Sequence, residues 1–382
     1  MAVRHPHRLL TIAHSYCVAL NRRLAHEMAR AGGEEWEVTA LAPRFFHGDL
    51  RPILLEPQPG ELCRLVPIDA HLSRSPQLFF YGLSLRAVLR ERWDLVHCWE
   101  EPYVVAGGQV AWWCPPRIPL VFFTAQNIAK RYPPPFSAIE RMCAARCAGW
   151  LPCGEAVAQT QLGRGWSAKP YRVIPLGVDV ELFRPDPQAG RAARARLGWK
   201  DEGPPVAGFL GRFVEDKGLG VAMRVLETTT SPWRALFVGG GPREPALRQW
   251  AARHGDRVRI VGGVPHDRVP DHLNAMDVLL APSQTTVRWR EQFGRMLVEA
   301  FACGVPVIAS DSGEIPYVVA DAGVIVGERD EPGWRRALAE LLESPARRAE
   351  FAARGRDRAH ALYSWPVVAR RHLEFFAELL AA

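Results

Sequence analysis

Two cations in a glycine-flanked loop carry the clearest chemical signal in the sequence. Gly211-Arg212-Phe-Val-Glu-Asp-Lys217-Gly218 follows an apolar run and precedes a helical pattern that begins at Leu219. Backbone N–H groups at a helix N-terminus attract anions, and Arg212 and Lys217 would add two full positive charges. The segment therefore predicts a diphosphate site. A solvated turn with two ordinary cations would use the same residues.

Two glutamates, Glu291 and Glu299, have seven residues between them. Gly294 stands where a helix would start, and Gly304 stands where it would end before Pro306. Eight residues of helix span about 12 Å along its axis, so the two carboxylates would lie at different depths. This suits a ligand with hydroxyl groups on either side of a phosphate pair. Two surface glutamates on an amphipathic helix would show the same spacing.

The N-terminus of this predicted helix is a candidate for phosphate contacts, through its backbone N–H groups. The residues concerned are Phe293, Gly294, Arg295 and Met296. A further loop, Gly239-Gly240-Gly241-Pro242, would let a ligand or another backbone approach closely. It is not a G-x-G-x-x-G sequence, so a dinucleotide fingerprint is absent.

Short apolar runs alternate with helix-length amphipathic segments along the chain, which predicts parallel sheets covered by helices on both faces. The predicted strands are 8–13, 37–41, 62–67, 95–98, 120–123, 149–152, 171–174, 206–210, 235–238, 258–261, 278–281, 307–309 and 324–326. The predicted helices are 18–31, 83–92, 138–148, 155–162, 219–228, 245–253, 269–275, 295–303, 334–342 and 365–380.

The pattern restarts after residue 175, where a polar stretch rich in Arg, Pro and Gly covers 184–205. We therefore expect an α/β protein with two doubly wound, Rossmann-like domains facing each other across a cleft. The expected domains are residues 1–175 and 176–364, and the helix 365–382 would return to the first domain.

The composition of the 382-residue chain excludes several classes of protein. No run of about 20 apolar residues predicts a membrane span. The N-terminus loosely resembles a secretory signal, but polar residues follow too soon and no small-residue cleavage site is evident, so we expect a first buried strand there. The eight cysteines form no C-x-x-C pair, which is typical of buried thiols in a cytosolic protein. The net charge is +7, and residues 1–174 hold 20 basic and 14 acidic side chains. Although this charge permits nucleic-acid binding, no basic–aromatic stripe supports it.

The sequence resembles the retaining GT-B glycosyltransferases of the E-x7-E family (glycosyltransferase family 4, glycosyl transferases group 1). The resemblance rests on an ordered set of motifs that covers most of the chain. They are Trp93-Asp-Leu-Val-His97, Val173-Ile-Pro-Leu-Gly177-Val-Asp179-Val-Glu-Leu-Phe183-Arg-Pro185, Gly211-Arg212 with Lys217-Gly218, Gly239-Gly-Gly-Pro242, Ala275-Met-Asp277-Val-Leu-Leu-Ala-Pro-Ser283, the segment from Glu291 to Glu299, and Asp311-Ser-Gly313-Glu314-Ile-Pro316.

The resemblance implies roles for individual residues. Arg212 and Lys217 would bind the donor diphosphate and stabilise the leaving group, and Glu299 would bind the ribose hydroxyls. Glu291 would hold hydroxyls of the donor sugar, together with the backbone near Phe293 and Gly294. The neighbouring donor-binding positions would be Gly211, Gly240, Arg295 and Met296, with Val264 and Pro265 beside the base. No D-x-D sequence occurs, which agrees with transfer that needs neither a metal nor another cofactor.

The acceptor side departs from the family pattern. Many members carry a histidine after the strand predicted at 120–123, where this chain has Thr124-Ala125-Gln126-Asn127. Gln126 or Asn127 could bind a sugar hydroxyl but could not act as a base. His14 and His97 are the other acceptor-side candidates. The transfer would not require a histidine, because in the front-face mechanism the leaving diphosphate takes the acceptor proton.

We therefore expect a metal-independent, retaining glycosyltransferase that uses a nucleotide-diphospho-sugar, with UDP as the first candidate nucleotide. The acceptor would be a hydroxyl of a glycan, glycolipid or small molecule. The alternatives are a GT-B epimerase, a phosphorylase, or a catalytically silent nucleotide-sugar-binding protein. We expect a cytoplasmic protein. The loops Arg44-Phe45-Phe46-His47 and Lys130-Arg131-Tyr132 suggest peripheral contact with the inner face of an anionic membrane.

Overall fold

The computed structural model describes residues 5–48, 52–200 and 202–382. The chain divides into two compact units. Unit 1 comprises Met1–Gly177 together with Trp365–Ala382, and unit 2 comprises Val178–Ser364.

The helices and strands follow one another in this order. In unit 1 they are β1 His7–Ile12, α1 Ala19–Gly32, β2 Trp36–Pro43, β3 Phe45–His47, β4 Pro52–Leu54, β5 Arg64–Ile68, β6 Ala70–His71, β7 Phe80–Tyr81, α2 Ser84–Leu89, β8 Leu95–Cys98, α3 Val105–Trp113, β9 Leu120–Thr124, α4 Phe136–Arg146, β10 Gly149–Pro152 and α5 Glu155–Gln161. In unit 2 they are α6 Pro187–Arg196, β11 Val206–Leu210, α7 Leu219–Thr228, β12 Arg234–Val238, α8 Glu244–Ala252, β13 Val258–Val261, α9 Val269–Leu273, β14 Val278–Ala281, α10 Arg295–Ala302, β15 Val307–Ser310, α11 Ile315–Val319, β16 Val324–Val326, α12 Glu331–Glu343 and α13 Pro345–Arg358. The final helix, α14 Trp365–Ala381, belongs to unit 1.

Each unit is built on a six-stranded parallel sheet. The strand order is β10-β9-β8-β1-β2-β5 in unit 1 and β13-β12-β11-β14-β15-β16 in unit 2. The central strands β8, β14 and β15 are buried on both faces and, apart from His97 and Ser310, apolar, which is typical of parallel strands covered by helices. This confirms the predicted α/β class and the two Rossmann-like sheets.

In both sheets the chain first adds strands on one side of the first strand and then, after one crossover, on its other side. In unit 1 the chain moves outward from β1 to β2 and β5, and then returns to the other side of β1 with β8. In unit 2 the same reversal separates β11 from β14. Ligands of doubly wound sheets bind at this switch point, beyond the carboxyl ends of the strands. The loops after these four strands are therefore the places to look for chemistry.

The C-terminal helix α14 belongs to unit 1 and packs there against α1. Its buried side chains include His372 and Phe376, whose rings contact the ring of His97 at 5.6 Å and 5.3 Å between centroids. The helix therefore covers the strand β8 and contributes to the core of unit 1.

The strand expected at 171–174 is absent, and the polar stretch 184–205 contains a helix. Residues 171–174 form no strand. They pair with β10 through an isolated bridge between Trp150 and Tyr171 and a hydrogen bond from Ile174 N to the Pro152 carbonyl oxygen at 3.0 Å. Pro170 and Pro175 flank this segment, and prolines lack the N–H group that a sheet ladder requires. The polar stretch 184–205 contains helix α6, whose first turn is capped by the Asp186 carboxylate, which accepts from Ala189 N at 2.9 Å.

Helix α3 was missed because its nine residues include two glycines and two β-branched valines. Packing explains both glycines. A Cβ atom on Gly107 would lie 2.5 Å from the carbonyl oxygen of Glu101, and one on Gly108 would lie 2.7 Å from Ile139 of α4. Close packing against its neighbours therefore stabilises α3, although its residues have low intrinsic helix propensity.

Candidate functional site

The loops after β11 and β12 in unit 2 approach each other closely. Gly211 and Gly239 both have positive φ angles, of 149° and 148°. A Cβ atom on Gly239 would lie 1.9 Å from the carbonyl oxygen of Gly211, so no larger residue fits there. Gly240 accepts a backbone hydrogen bond from Phe213 N at 2.8 Å. The glycine-rich loop is therefore packed against the loop that carries Arg212 and Lys217.

Lys217 and Glu291 meet at the switch point of unit 2. Lys217 Nζ lies 2.5 Å from Glu291 Oε2, and Ser283 Oγ donates to the same oxygen at 3.0 Å. The ammonium also lies 4.7 Å from the centre of the Trp289 ring. Because an ammonium has three N–H donors, Lys217 can bind Glu291 and a phosphate oxygen together. Arg212, on the same loop, is exposed.

Backbone contacts on either side hold this pair in place. Gly218 follows Lys217 with φ of 72°, and a Cβ atom there would lie 1.7 Å from the carbonyl oxygen of Pro282. Beyond β15, Glu314 N donates to the Glu291 carbonyl oxygen at 3.0 Å. The backbone of Glu291 is thus fixed by the segment that follows the neighbouring strand.

Helix α10 begins after Gly294, which adopts a left-handed conformation with φ of 83°. Phe293 is buried before it, and Arg295 and Met296 form its half-buried first turn. Glu299 lies on the same helix and is buried. The predicted helix over 295–303 and its starting glycine thus coincide with the observed element.

Glu299 contacts the loop after β13 through His266, a residue that was not predicted from the sequence. His266 Nε2 and Glu299 Oε1 are 2.9 Å apart, and the His266 ring lies 5.1 Å from that of Phe183. Val264 and Pro265 directly precede His266, so the structure brings this loop to Glu299. The only sequence signal for His266 was its position directly after the predicted residue Pro265.

Three of the predicted unit 2 clusters therefore lie along one edge of the sheet. The first cluster follows β11 and β12, the second follows β13, and the third follows β14. Together they hold all the residues predicted to bind the diphosphate, ribose and sugar. A separate cavity of about 670 Å³ lies at the amino ends of the strands, lined by Trp199, Trp233 and Arg234 among others. It contains none of the predicted residues.

In unit 1, the switch point holds a histidine–carboxylate pair. Glu100 Oε2 lies 2.6 Å from His14 Nδ1, and Glu100 Oε1 accepts from His14 N at 2.5 Å. The Tyr81 hydroxyl donates to the same Oε1 at 2.5 Å. Burial raises the pKa of Tyr81 well above its usual range, so this hydroxyl remains a donor. His14 was predicted from the sequence, whereas Glu100 and Tyr81 were not.

The adjacent glutamate holds the loop after β9. Glu101 accepts from Thr124 Oγ1 and from Ala125 N, both at 2.7 Å. Burial raises the pKa of Glu101 to about 7, although these two hydrogen bonds oppose the shift. The consecutive residues Glu100 and Glu101 thus connect the loop after β8 to the loops on both sides of it.

The two amide candidates of this loop, Gln126 and Asn127, are buried. Gln126 Nε2 donates to the Tyr132 hydroxyl at 2.9 Å, and its Oε1 accepts from Ile128 N at 3.0 Å. Both ends of the Gln126 amide are therefore used inside unit 1. The acceptor-side role of Gln126 and Asn127 stays a prediction.

His97 lies in the core of unit 1, not at its surface. Its side chain is fully buried, and Nδ1 lies 3.0 Å from Thr11 Oγ1. Burial lowers its pKa well below the ordinary value. In this structure a substrate cannot reach His97, so its acceptor-side assignment gives way to a packing role.

The loops considered for membrane contact also differ from expectation. Phe46 is buried and packs on Phe79 at 5.1 Å between ring centroids. Tyr132 stacks on Tyr103 at 4.2 Å. These two aromatic side chains therefore pack within unit 1, whereas membrane contact would need them at the surface. Within residues 5–48, 52–200 and 202–382, no helix has the length and hydropathy to cross a bilayer.

Two family descriptions match the chain. "Glycosyltransferase Family 4" matches residues 20–182, and "Glycosyl transferases group 1" matches residues 194–358. Among solved structures, a sucrose-phosphate synthase from Thermosynechococcus elongatus is 22% identical, with a TM-score of 0.73 over 98% of this chain and 99% of the other. HepE from Anabaena, solved with UDP and glucose, is 18% identical, with a TM-score of 0.73 over 97% of this chain and 100% of the other. These likenesses show the GT-B fold.

Curated relatives extend the comparison to sequence. A GDP-mannose-dependent monoacylated alpha-(1-6)-phosphatidylinositol monomannoside mannosyltransferase of Corynebacterium glutamicum is 35% identical over 53% of this chain and 54% of its own length, so the match spans about half of that relative. A D-inositol 3-phosphate glycosyltransferase of Salinispora tropica is 30% identical over 87% of this chain and 71% of its own length. With its two matched family descriptions and its two Rossmann-like sheets, the chain belongs to the family 4, group 1 glycosyltransferases of the GT-B fold.

Proposed function

We propose that this protein transfers a sugar from a nucleotide-diphospho-sugar to a hydroxyl acceptor, with retention of anomeric configuration and without a metal ion. The contact between Lys217 and Glu291 carries the proposal. It places a cation suited to a diphosphate beside a carboxylate suited to sugar hydroxyls, at the switch point where doubly wound sheets bind ligands.

The residues of unit 2 suit the charge changes of such a transfer. The bond between the anomeric carbon and the phosphate oxygen breaks, and the electron pair leaves with the nucleoside diphosphate. Lys217, Arg212 and the N-terminus of α10 would stabilise the added negative charge. The acceptor oxygen forms its bond on the same face of the sugar, and its proton passes to the leaving phosphate oxygen. No protein base is needed for this step.

Glu299 and the loop of Val264 and Pro265 suit the nucleoside end of the donor. A buried carboxylate that already binds His266 has further lone pairs for ribose hydroxyls. UDP is our first candidate nucleotide, and the solved HepE complexes contain UDP or UDP-glucose. GDP is the second, because several relatives are named as GDP-mannose-dependent.

For the acceptor we propose a hydroxyl of an inositol-containing or sugar-containing small molecule or glycolipid. The relatives named for inositol phosphate and phosphatidylinositol substrates support this class. Unit 1 would be the acceptor side, and the basic surplus of residues 1–174 suits anionic headgroups. We also propose a cytoplasmic protein with peripheral contact on the inner membrane face. Sedimentation with phosphatidylglycerol vesicles that is lost at high salt would support this contact, and no sedimentation at low salt would refute it.

A thermal-shift panel of UDP, GDP and ADP with their sugars tests the donor. A ligand that binds the folded state stabilises it by RT ln(1 + [L]/Kd), so the correct nucleotide should raise the melting temperature by several degrees. Failure of every nucleotide to do so would contradict the proposal.

Product analysis separates sugar transfer from the alternatives. NMR of the product made from an α-linked donor should show an α-linked product. Isomerisation of the donor sugar would indicate an epimerase, and phosphate-dependent turnover would indicate a phosphorylase. Nucleotide binding without turnover would indicate a silent binding protein.

A further inference from the structure

The His14–Glu100 pair occupies the same topological position in unit 1 as the Lys217–Glu291 pair does in unit 2. His14 follows β1 and Glu100 follows β8, and these strands are adjacent, with Ile12 opposite Cys98. Lys217 follows β11, and Glu291 follows β14, which lies beside β11. In each sheet the pair therefore joins the two loops of the switch point, where a doubly wound sheet binds its ligand.

The contacts of Glu100 determine which nitrogen of His14 carries hydrogen. Glu100 is 1% exposed, and its Oε1 accepts from the Tyr81 hydroxyl and from the His14 backbone. Its Oε2 faces His14 Nδ1 at 2.6 Å. An ionised carboxylate only accepts hydrogen bonds, so Nδ1 carries the hydrogen. In the neutral imidazole, Nε2 is then the nitrogen with the acceptor lone pair.

The ring of His14 is held by packing as well. It lies 4.7 Å from the Phe46 ring and 5.1 Å from the Phe79 ring. Its side chain nevertheless remains 34% exposed, whereas Glu100 is buried. The arrangement is an oriented, solvent-reachable imidazole with a buried carboxylate behind it.

We infer that His14 binds the acceptor substrate through Nε2, which accepts a hydrogen bond from a hydroxyl of an inositol-like or sugar-like polyol. Glu100 is a positioning residue that fixes the tautomer, and Tyr81 holds Glu100. This inference rests on the proposed function, since it assigns the acceptor subsite of the same enzyme. It differs from the family pattern noted above, in which the acceptor-side histidine follows the strand that corresponds to β9.

Glu100→Gln is the sharpest variant. The glutamine oxygen can still accept from Tyr81 and the His14 backbone, but its NH2 group would donate to Nδ1. His14 would then carry its hydrogen on Nε2 and present a donor in place of an acceptor. We expect kcat/KM for the acceptor to fall at least about tenfold, equivalent to about 1.4 kcal/mol, whereas Glu100→Asp should restore part of it. His14→Ala should show a similar loss.

The assays use UDP-glucose and GDP-mannose as donors, with D-inositol 3-phosphate and phosphatidylinositol as acceptors. The melting-temperature shift caused by UDP and GDP should be unchanged in Glu100→Gln, because the donor residues lie in unit 2. Exposed residues of unit 1 supply the controls His71→Gln and Glu34→Gln, which should match the wild type. An unchanged acceptor kcat/KM in Glu100→Gln would overturn the inference, as would a loss confined to nucleotide binding.

A second measurement does not depend on turnover. In 15N-histidine NMR spectra, His14 should show the Nδ1–H tautomer in the wild type and the Nε2–H tautomer in Glu100→Gln. Millimolar myo-inositol should shift the Nε2 signal of the wild type alone. If neither acceptor is turned over, an Nε2 signal that does not respond to myo-inositol overturns the inference. Absence of any nucleotide-induced thermal shift would instead refute the proposed function, so the two failures are distinguishable.

Discussion

Lys217 Nζ lies 2.5 Å from Glu291 Oε2, although 74 positions separate the two residues in the chain. Lys217 is one of only four lysines among 48 basic residues. Its ammonium is compact and has donors in three directions, which suits an ion that must serve a carboxylate and a phosphate oxygen at once. This pair is the centre of the proposed donor site.

Replacement of Lys217 by alanine should lower kcat at least about 10²-fold, because a preorganised cation for the leaving group is lost. Lys217→Arg should recover little of this activity, since a planar guanidinium directs its N–H donors in one plane, whereas the compact ammonium of Lys217 directs them three ways. Initial rates of sugar transfer measure the effect. The exposed Lys200→Ala is the matched control, and activity of Lys217→Ala near that of the control would exclude this role.

Replacement of Glu291 by glutamine should lower kcat at least about tenfold and alter the preference among donor sugars. The side chain keeps its shape and can still accept from Ser283, but it loses the charge that pairs with Lys217. The rise in melting temperature caused by free UDP or GDP should persist, since these nucleotides contain no donor sugar for Glu291 to bind. The exposed Glu227→Gln controls for loss of a carboxylate. A variant with normal rates and normal sugar preference would contradict the role of Glu291.

Replacement of Glu299 by glutamine should raise the KM for the donor about 10- to 100-fold with a smaller change in kcat, because hydrogen bonds to a charged group contribute about 1.5–3 kcal/mol. Titration with the free nucleotide should show the same loss of affinity. His266→Phe keeps the ring against Phe183 but removes the contact with Glu299, and it should weaken binding in the same direction. Unchanged nucleotide affinity in Glu299→Gln would refute the ribose contact.

Glu101 should make the stability of the protein depend on pH. Its pKa in the folded state is raised to about 7 from an ordinary value of 4.5, so the folded state binds this proton more tightly than the unfolded state. The resulting stabilisation is complete below about pH 4.5 and is lost as the pH rises toward 7.

The glutamine side chain in Glu101→Gln does not titrate, and it can still form hydrogen bonds with Thr124 and Ala125. The melting temperature of the variant relative to the wild type should therefore rise between pH 5 and pH 8, by an amount equivalent to roughly 1–3 kcal/mol. Thermal unfolding in matched buffers measures this difference. A difference that is constant with pH would show that Glu101 titrates normally.

Turnover should be insensitive to metal chelation. We expect kcat to stay within about twofold of its starting value in excess EDTA and after addition of Mg²⁺ or Mn²⁺, because Arg212, Lys217 and the N-terminus of α10 would neutralise the diphosphate. Steady-state rates across an EDTA titration provide the check. Activity that is lost in EDTA and restored by Mg²⁺ would show metal-dependent transfer.

The sequence by itself determined the local architecture. The strands β8, β10 and β14 have the predicted bounds because they are short, largely apolar runs between predicted helices, as strands buried on both faces of a parallel sheet are. The start of α10 was equally readable, since Gly294 adopts a left-handed conformation that favours glycine. The predicted chemistry of Arg212 and Lys217 likewise depended on a local loop before a helix.

Only the tertiary structure decided which side chains meet. The pairs Lys217–Glu291, His266–Glu299 and His14–Glu100 join residues that are 74, 33 and 86 positions apart, and no local pattern encodes such separations. The strand order brings the loops together, because adjacent parallel strands end at the same edge of a sheet. The same order buries His97 beneath α14 and leaves His14 partly exposed, although both residues are histidines at the ends of central strands.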